Sequence, residues 1–322
     1  MNKLYKLVLL SFLFSLFLAV EANAQGFNSK YKYWSIGGTL NIMNYVGELD
    51  PGPSFISPGI KFTRYNLGAV IMRRLSPRIS LRGAVSYGRI AGNDFKNSTY
   101  SERGGDINRK IRNLDFFSSI FEVKGDVVID LIEHRGRYQK RPDFVPYVFI
   151  GLAYFHHNPK TRIGGQTYNL RDYSTEGQGT GIPGSPKEYS LNQIALPIGI
   201  GVRYKLSKQL DLAFEIGWRF TTTDYLDDVG GHYVDKNALA AAKGMTAVML
   251  ADRSPELLSD PNIYSPEGTY TELVNGVPIT SYDGYGRQGD KRGDKKNKDA
   301  YIVTGVHLMY IIPSRVVCPK FR

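Results

Sequence analysis

Apolar and polar residues alternate with a period of two in eight separate segments of strand length, and this pattern limits the fold more than any other feature. Trp34, Ile36, Gly38, Leu40 and Ile42 form one face of the first segment. Tyr65, Leu67, Ala69 and Ile71 mark the second, and Ile79 to Tyr87 the third, with Arg82 on its polar face. The fourth, Phe117 to Leu131, places Phe117, Phe121, Val123, Val127 and Ile129 against Glu122, Lys124, Asp126 and Asp130. Val145 to Phe155, the fifth, is apolar on both faces, which leaves its orientation open. The sixth sets Ile194 to Tyr204 against Gly199, Gly201 and Arg203. The seventh sets Leu210 to Phe220 against Asp211, Glu215, Gly217 and Arg219. The eighth spans Ala300 to Ile312 and shows Ile302, Val306, Leu308, Tyr310 and Ile312 on one face.

The connections decide how such strands assemble. Ser76-Pro77-Arg78 and Ser207-Lys208-Gln209 are tight, and Glu133 to Asp143 is a moderate basic turn. The alternate connections, at 43–60, 89–112, 157–188 and 222–298, are long. Short turns on one side and long loops on the other mark a closed antiparallel transmembrane β-barrel, here of about eight strands and all-β, with long extracellular loops. A β-sandwich does not sort its connections by parity. Tyr31, Tyr33, Trp34, Tyr65, Tyr87, Tyr204, Trp218, Phe220 and Tyr310 fall near strand ends, as interfacial girdles require.

Targeting agrees with this reading. Lys3 and Lys6 precede an apolar run from Leu7 to Val20, and Ala22-Asn23-Ala24 supplies the cleavage pattern, so residues 1–24 read as a signal peptide. Residues 25–312 are then the barrel with its loops, and 313–322 a periplasmic tail. No later run approaches the length of a membrane helix. The formal charge of +11 could suggest nucleic acid, but an exported chain rarely meets it, and no nucleic-acid partner is expected.

At eight strands a lumen is just wide enough for side chains to fill it. Arg82, Glu122, Lys124, Arg203, Glu215 and Arg219 face inward on this pattern, and opposite charges there are expected to pair, since an unpaired buried charge is costly. Gly199, Gly201 and Gly217 leave room for them. The expected outcome is an ion-pair plug, with a small ion pathway as the alternative.

Catalysis and metal binding have little support. His156 and His157 end the fifth strand, and Asp224, Asp227 and Asp228 begin the last long loop, yet no serine stands in a nucleophile setting. The Asp224–Asp228 run lacks the ligand spacing and glycine of a calcium loop, and five histidines with one cysteine make no zinc pattern. No enzyme activity, cofactor or metal is expected. Asp283 to Asp299 reads as a mobile loop tip, and its Arg292-Gly293-Asp294 as a chance match to an adhesion tripeptide. Pro313 and Pro319 keep the tail extended, and Cys318 is the chain's one thiol. Such a tail suits docking to a partner, covalent or not; an idle thiol on a disordered end is the alternative.

Several stretches resemble the PorG family, small outer-membrane barrel proteins of the type IX secretion system that also serve gliding motility. They are Tyr45-Val46-Gly47-Glu48-Leu49, Pro146-Tyr147 through Gly151 to Asn158-Pro159-Lys160, the run Thr223-Asp224-Tyr225-Leu226-Asp227-Asp228-Val229, and Cys318-Pro319-Lys320-Phe321. The resemblance implies a non-catalytic anchor, in the bacterial outer membrane, for a periplasmic ring of PorK-like lipoprotein and PorN-like protein. Outer-membrane lipid would be its other partner. Cys318, Pro319, Lys320 and Phe321 are the expected contacts, with Cys318 able to form a disulfide. Arg135, Arg137, Lys140 and Arg141 in the basic turn are a second contact. Two other functions fit the sequence: a general small barrel or narrow porin, and a lipid-modifying enzyme uniting His156 or His157 with a serine or carboxylate.

Overall fold

The protein is described by a computed structural model covering residues 31–49, 62–97, 106–261, 263, 268–294 and 298–313. Residues 1–24, read from the sequence as a signal peptide, and the tail residues Cys318, Pro319, Lys320 and Phe321 lie outside the described residues. Eight long strands make the barrel: β1 (Tyr33–Val46), β2 (Arg64–Arg74), β3 (Ile79–Asn93), β4 (Asp115–Asp130), β5 (Phe144–His156), β8 (Asn192–Lys205), β9 (Leu210–Thr221) and β12 (Ala300–Ile312). A hairpin, β6 (Pro159–Ile163) and β7 (Gln166–Asn169), extends β4 beyond the barrel. A second hairpin, β10 (Thr269–Val274) and β11 (Val277–Tyr282), lies within the last long loop.

Each barrel strand pairs antiparallel with its neighbours, and pairing of β1 with β12 and of β3 with β4 closes the ring. Trp34 faces Ile312 and Val46 faces Ala300 across the β1–β12 seam. The fold is the expected eight-stranded closed antiparallel barrel, and the eight alternating segments become its strands. Alternation does the sorting, because successive side chains point to opposite faces. Ile36, Leu40, Leu67, Ile71, Val123, Leu152, Phe214 and Leu308 point outward and are exposed, while Arg82, Glu122, Arg203, Glu215 and Arg219 point inward and are buried.

β5 resolves the ambiguity of its sequence. Val145, Tyr147, Phe149, Ala153 and Phe155 face the lumen, and Val148, Ile150, Leu152 and Tyr154 face out. The lumen accepts these aromatic rings because they lie against its cations. The guanidinium of Arg82 sits 4.7 Å above the Phe149 ring, and that of Arg203 5.1 Å above Tyr147.

The exterior forms an apolar band between two aromatic girdles. Tyr65, Tyr87, Phe121, Tyr154 and Phe220 ring the long-loop end, and Trp34, Phe144, Tyr204 and Tyr310 the short-turn end, all exposed. From Ile194 to Tyr204, a rise of about 3.3 Å per residue and a tilt of about 40° give a height of about 25 Å. That is the height of the lipid-facing band of a membrane barrel. So large an apolar surface is stable only in lipid, so the chain crosses a membrane by strands. No helix among the described residues is long and apolar enough to cross one. Tyr33 departs from the expected girdle: it points inward and packs with Tyr138 and Ile311 at the short-turn end.

Candidate functional site

The lumen is filled by ion pairs in a stack. Near the short turns, Asp130 accepts from Arg74 at 2.5 Å and lies 3.4 Å from Arg203. In the middle, Asp126 meets Arg82 and Lys124, each at 2.8 Å, while Arg82 also reaches Glu215. Glu215 further accepts from the Tyr147 hydroxyl at 2.6 Å and lies 3.3 Å from His307 Nδ1. Towards the long-loop mouth, Arg219 lies 3.3 Å from Glu122, which accepts from the Tyr301 hydroxyl at 2.6 Å. Each of the six inward charges named from the sequence thus has an ion-pair partner at one of three levels of the lumen. Arg74, Asp126, Asp130, Tyr147, Tyr301 and His307 complete these levels. Arg74 was hidden because the second alternating segment fades after Ile71, and Tyr147 because β5 is apolar on both faces.

The inward glycines give their space to rings as well as to charges. A Cβ built on Gly201 would sit 2.5 Å from the Tyr147 ring, and one on Gly199 2.5 Å from Phe149. The space among Arg82, Glu122, Lys124, Phe149, Glu215 and Arg219 is about 20 Å³, and that among Arg74, Asp130, Arg203 and Asp211 about 10 Å³. Each is on the scale of one water, so the lumen is a packed interior and not a conduit.

Above the barrel the long loops form a folded cap. Met43, Tyr45, Leu49, Ile90, Phe116, Phe155, Leu226, Leu250 and Tyr301 pack together across the long-loop mouth. A second core joins the helices Lys236–Lys243 and Met245–Ala251 to the β10–β11 hairpin through Leu239, Ala247, Val248 and Val274. Two buried arginines bind the loops to one another. Arg112 holds Asp94 at 2.7 Å and donates to the carbonyls of Arg292 and Glu48. Arg292 pairs with Glu176 at 3.1 Å and donates to the carbonyls of Asp228 and Ala251. Arg292 was expected in a mobile tip; it is instead only 2% exposed, because its guanidinium fills a socket of acceptors. The Arg-Gly-Asp sequence is therefore not presented as an adhesion loop.

The acidic run after β9 is turned inward. Asp227 Oδ2 accepts from the Tyr45 hydroxyl at 2.7 Å, and the same hydroxyl lies 2.7 Å from Asp299. Two of the stretches that carry the resemblance, at 45–49 and 223–229, therefore meet at the long-loop rim. Asp228, at φ 69°, accepts from Thr175 and from the Tyr189 hydroxyl at 2.7 Å, and burial pushes its carboxyl up to about 6 despite Arg292. Asp224 is pushed up to about 7 by burial and then by Glu48.

The two histidines do not meet a nucleophile. His156 is exposed and bonds Asn192 at 2.9 Å. His157 is buried, contacts the Ser190 carbonyl at 3.3 Å and stacks on Tyr189; burial lowers its pKa to about 4. Neither has a serine hydroxyl or carboxylate within hydrogen-bonding distance, so the lipid-modifying arrangement does not form among the described residues.

At the short-turn end the basic turn divides. Arg135, Arg137 and Lys140 are exposed, and Arg135 pairs with Glu133 at 2.5 Å. Arg141 is not available to a partner, contrary to expectation. It is buried, pairs with Asp211 at 2.6 Å, and donates to the carbonyls of Tyr138, Ser207, Lys208 and Leu210. One guanidinium thus staples the β4–β5 turn to the β8–β9 turn, a role set by tertiary contact and invisible in a run of basic residues.

Fold and interior define a class: a small membrane-spanning barrel with a plugged lumen and a folded cap of long loops. The chain belongs to the family described as DUF6089, a domain of unknown function, which matches residues 8–243. No curated protein matches the chain significantly. Among solved structures it is similar to Neisserial surface protein A at 9% identity, covering 86% of this chain and 96% of that one, with a TM-score of 0.36. It is also similar to Ail of Yersinia pestis (7%, 87% and 97%, 0.33) and to OprG of Pseudomonas aeruginosa (8%, 88% and 98%, 0.33). Similarities this distant carry no argument about function.

Proposed function

We propose that this protein is a non-catalytic component of the bacterial outer membrane that anchors the periplasmic PorK/PorN-type ring of the type IX secretion system, a machine also linked to gliding motility. One observation carries the reading: a barrel packed solid with ion pairs leaves its surfaces as the working parts. The short-turn end exposes Arg135, Arg137 and Lys140, and β12 delivers the chain to that same end, where Ile311 packs on Tyr138. The described chain therefore ends, at Pro313, beside a basic surface. In a barrel whose long loops are extracellular, that surface is periplasmic. The secretion-system assignment rests on the motif resemblance at 45–49, 146–160, 223–229 and 318–321.

The test compares outer membranes of wild type and Cys318→Ser on non-reducing gels, with recovery of the ring after gentle solubilisation. A high-mass band lost on reduction and in the variant, containing a ring lipoprotein, is the result expected of covalent anchoring. Noncovalent anchoring predicts loss of the ring when Arg135, Arg137 and Lys140 are replaced by glutamate. Unchanged ring recovery and secretion in both variants would refute the anchoring role.

A further inference from the structure

Three carboxylates from separate segments converge at the outer mouth: Glu48 after β1, Asp227 after β9 and Asp299 just before β12. One oxygen of each lies within 4.8 Å of the other two. Oxygens that share one calcium ion at about 2.4 Å can be no farther apart than twice that distance. The backbone already holds one oxygen of each acid. Val229 N–H donates to Asp227 Oδ1 at 2.9 Å, Leu226 N–H to Asp299 Oδ2 at 2.9 Å, and Asp294 N–H to Glu48 Oε1 at 3.1 Å. The remaining oxygens are short of positive charge. Tyr45 has one hydroxyl proton for both Asp227 and Asp299, and Glu48, whose Oε2 is buried, meets the Asp299 carboxyl, to which it can bond only by sharing a proton.

A fourth acid supplies an independent sign of a missing partner. Asp224 is 3% exposed, neither of its carboxylate oxygens has a hydrogen-bond partner, and Glu48 is the strongest charge acting on it. The neighbouring cations offset this only in part. Arg112, paired with Asp94 at 2.7 and 2.8 Å, also acts on Glu48 and Asp227, and Lys298 acts on Asp224. Glu176 and Asp294 add further negative charge around Asp224. Burial and mutual repulsion push Glu48, Asp227 and Asp299 above their ordinary range. Buried carboxylates left like this must take up either protons or a cation.

We propose that Glu48, Asp227 and Asp299, with the buried Asp224 adding its charge nearby, bind a divalent cation of the calcium type that clasps the loop after β1 to the loop before β12. The donors are all oxygen, which disfavours zinc. They come from three segments with no imposed octahedron, which suits calcium's irregular coordination better than magnesium's. A search of the sequence for a contiguous calcium loop misses such a site, because its ligands meet only in the closed barrel. The cation stabilises the extracellular cap and is independent of periplasmic anchoring.

The test uses the full chain folded in detergent micelles and treated with EDTA. Calcium is titrated by calorimetry, and terbium is titrated with emission sensitised through Tyr45. The expected result is saturable binding of one ion, terbium emission displaced by calcium, and binding at least tenfold weaker in Glu48→Gln and Asp227→Asn. Folding of each variant is checked by heat-modifiable gel mobility. Wild type that binds no calcium at about 5 mM, above the range of weak extracellular sites, would overturn the proposal. So would variants that bind as wild type does. If both variants fail to fold, amide exchange of Leu226 and Val229 in wild type decides: slower exchange with calcium supports the clasp, and identical exchange in calcium and EDTA overturns it.

Discussion

Replacing Arg82 by methionine tests whether the lumen is held by ion pairing or merely filled. Arg82 bonds Asp126 at 2.8 and 2.9 Å, reaches Glu215, and covers Phe149. Removing one partner of a buried pair costs about 3–5 kcal/mol, chiefly from the charge left behind. Here each acid keeps another partner: Lys124 at 2.8 Å for Asp126, and Tyr147 at 2.6 Å for Glu215. The low end of that range therefore applies, and methionine preserves most of the packing. We expect a loss of about 3 kcal/mol, or roughly a hundredfold in the folding equilibrium. Urea unfolding in phospholipid vesicles, followed by tryptophan emission and gel mobility, measures it. Replacing Glu215 by methionine in the same chain removes both members of the pair and should cost less than the two single losses summed, by about 2 kcal/mol. A single-variant cost below about 1 kcal/mol, or strict additivity, would refute the ion-pair plug.

Wild-type protein in planar bilayers should show no steady conductance, and persistent open-channel steps would contradict a lumen whose spaces hold about one water. Gly201→Ala drives a Cβ against the Tyr147 ring and should cost about 1–3 kcal/mol, recovered in part by Tyr147→Leu; equal stability of all three proteins would remove the close-packing argument. In EDTA, carboxyls raised in the folded state stabilise it at low pH, so the cap should lose stability as pH rises from about 4 through about 7, the value for Asp224, with Asp228 titrating near 6. His157, lowered to about 4, opposes this below about 6.5 but is one group against several, so unfolding temperatures of the cap that climb with pH would reverse the sign and defeat the argument. Arg292→Ala leaves Glu176 buried without its guanidinium and should open the loops to limited proteolysis while the barrel stays intact; unchanged cleavage would show that the cap does not depend on this socket.

The barrel was legible in the sequence because its physics is local and periodic. Leu210 to Phe220 announces β9 by alternation alone, and Ser207-Lys208-Gln209 announces its turn. The inward charges followed from the same parity. What stayed hidden depends on contacts between distant segments that no period encodes. Arg141 reads as one more base in a basic turn until Asp211 and three carbonyls of another turn surround it. Arg292 reads as part of a polar tip until Glu176 and two carbonyls enclose it. The β10–β11 hairpin and the two loop helices escaped because they are short and lie within a long polar segment. The acidic run at 224–228 was noticed, but its partners Tyr45, Glu48 and Asp299 lie elsewhere in the chain.

The β1–β12 seam carries a consequence for assembly. Trp34 faces Ile312 and Tyr45 faces Tyr301, so the pairing of greatest sequence separation joins the two extremes of the barrel sequence. Contacts of such long range pay nearly the whole loop-closure entropy before returning anything, and until then both strands present unpaired edges. The junction of Tyr45 with Asp227 and Asp299 stands beside that seam and exists only after it has zipped. It is a latch that can close only where the seam beside it has closed.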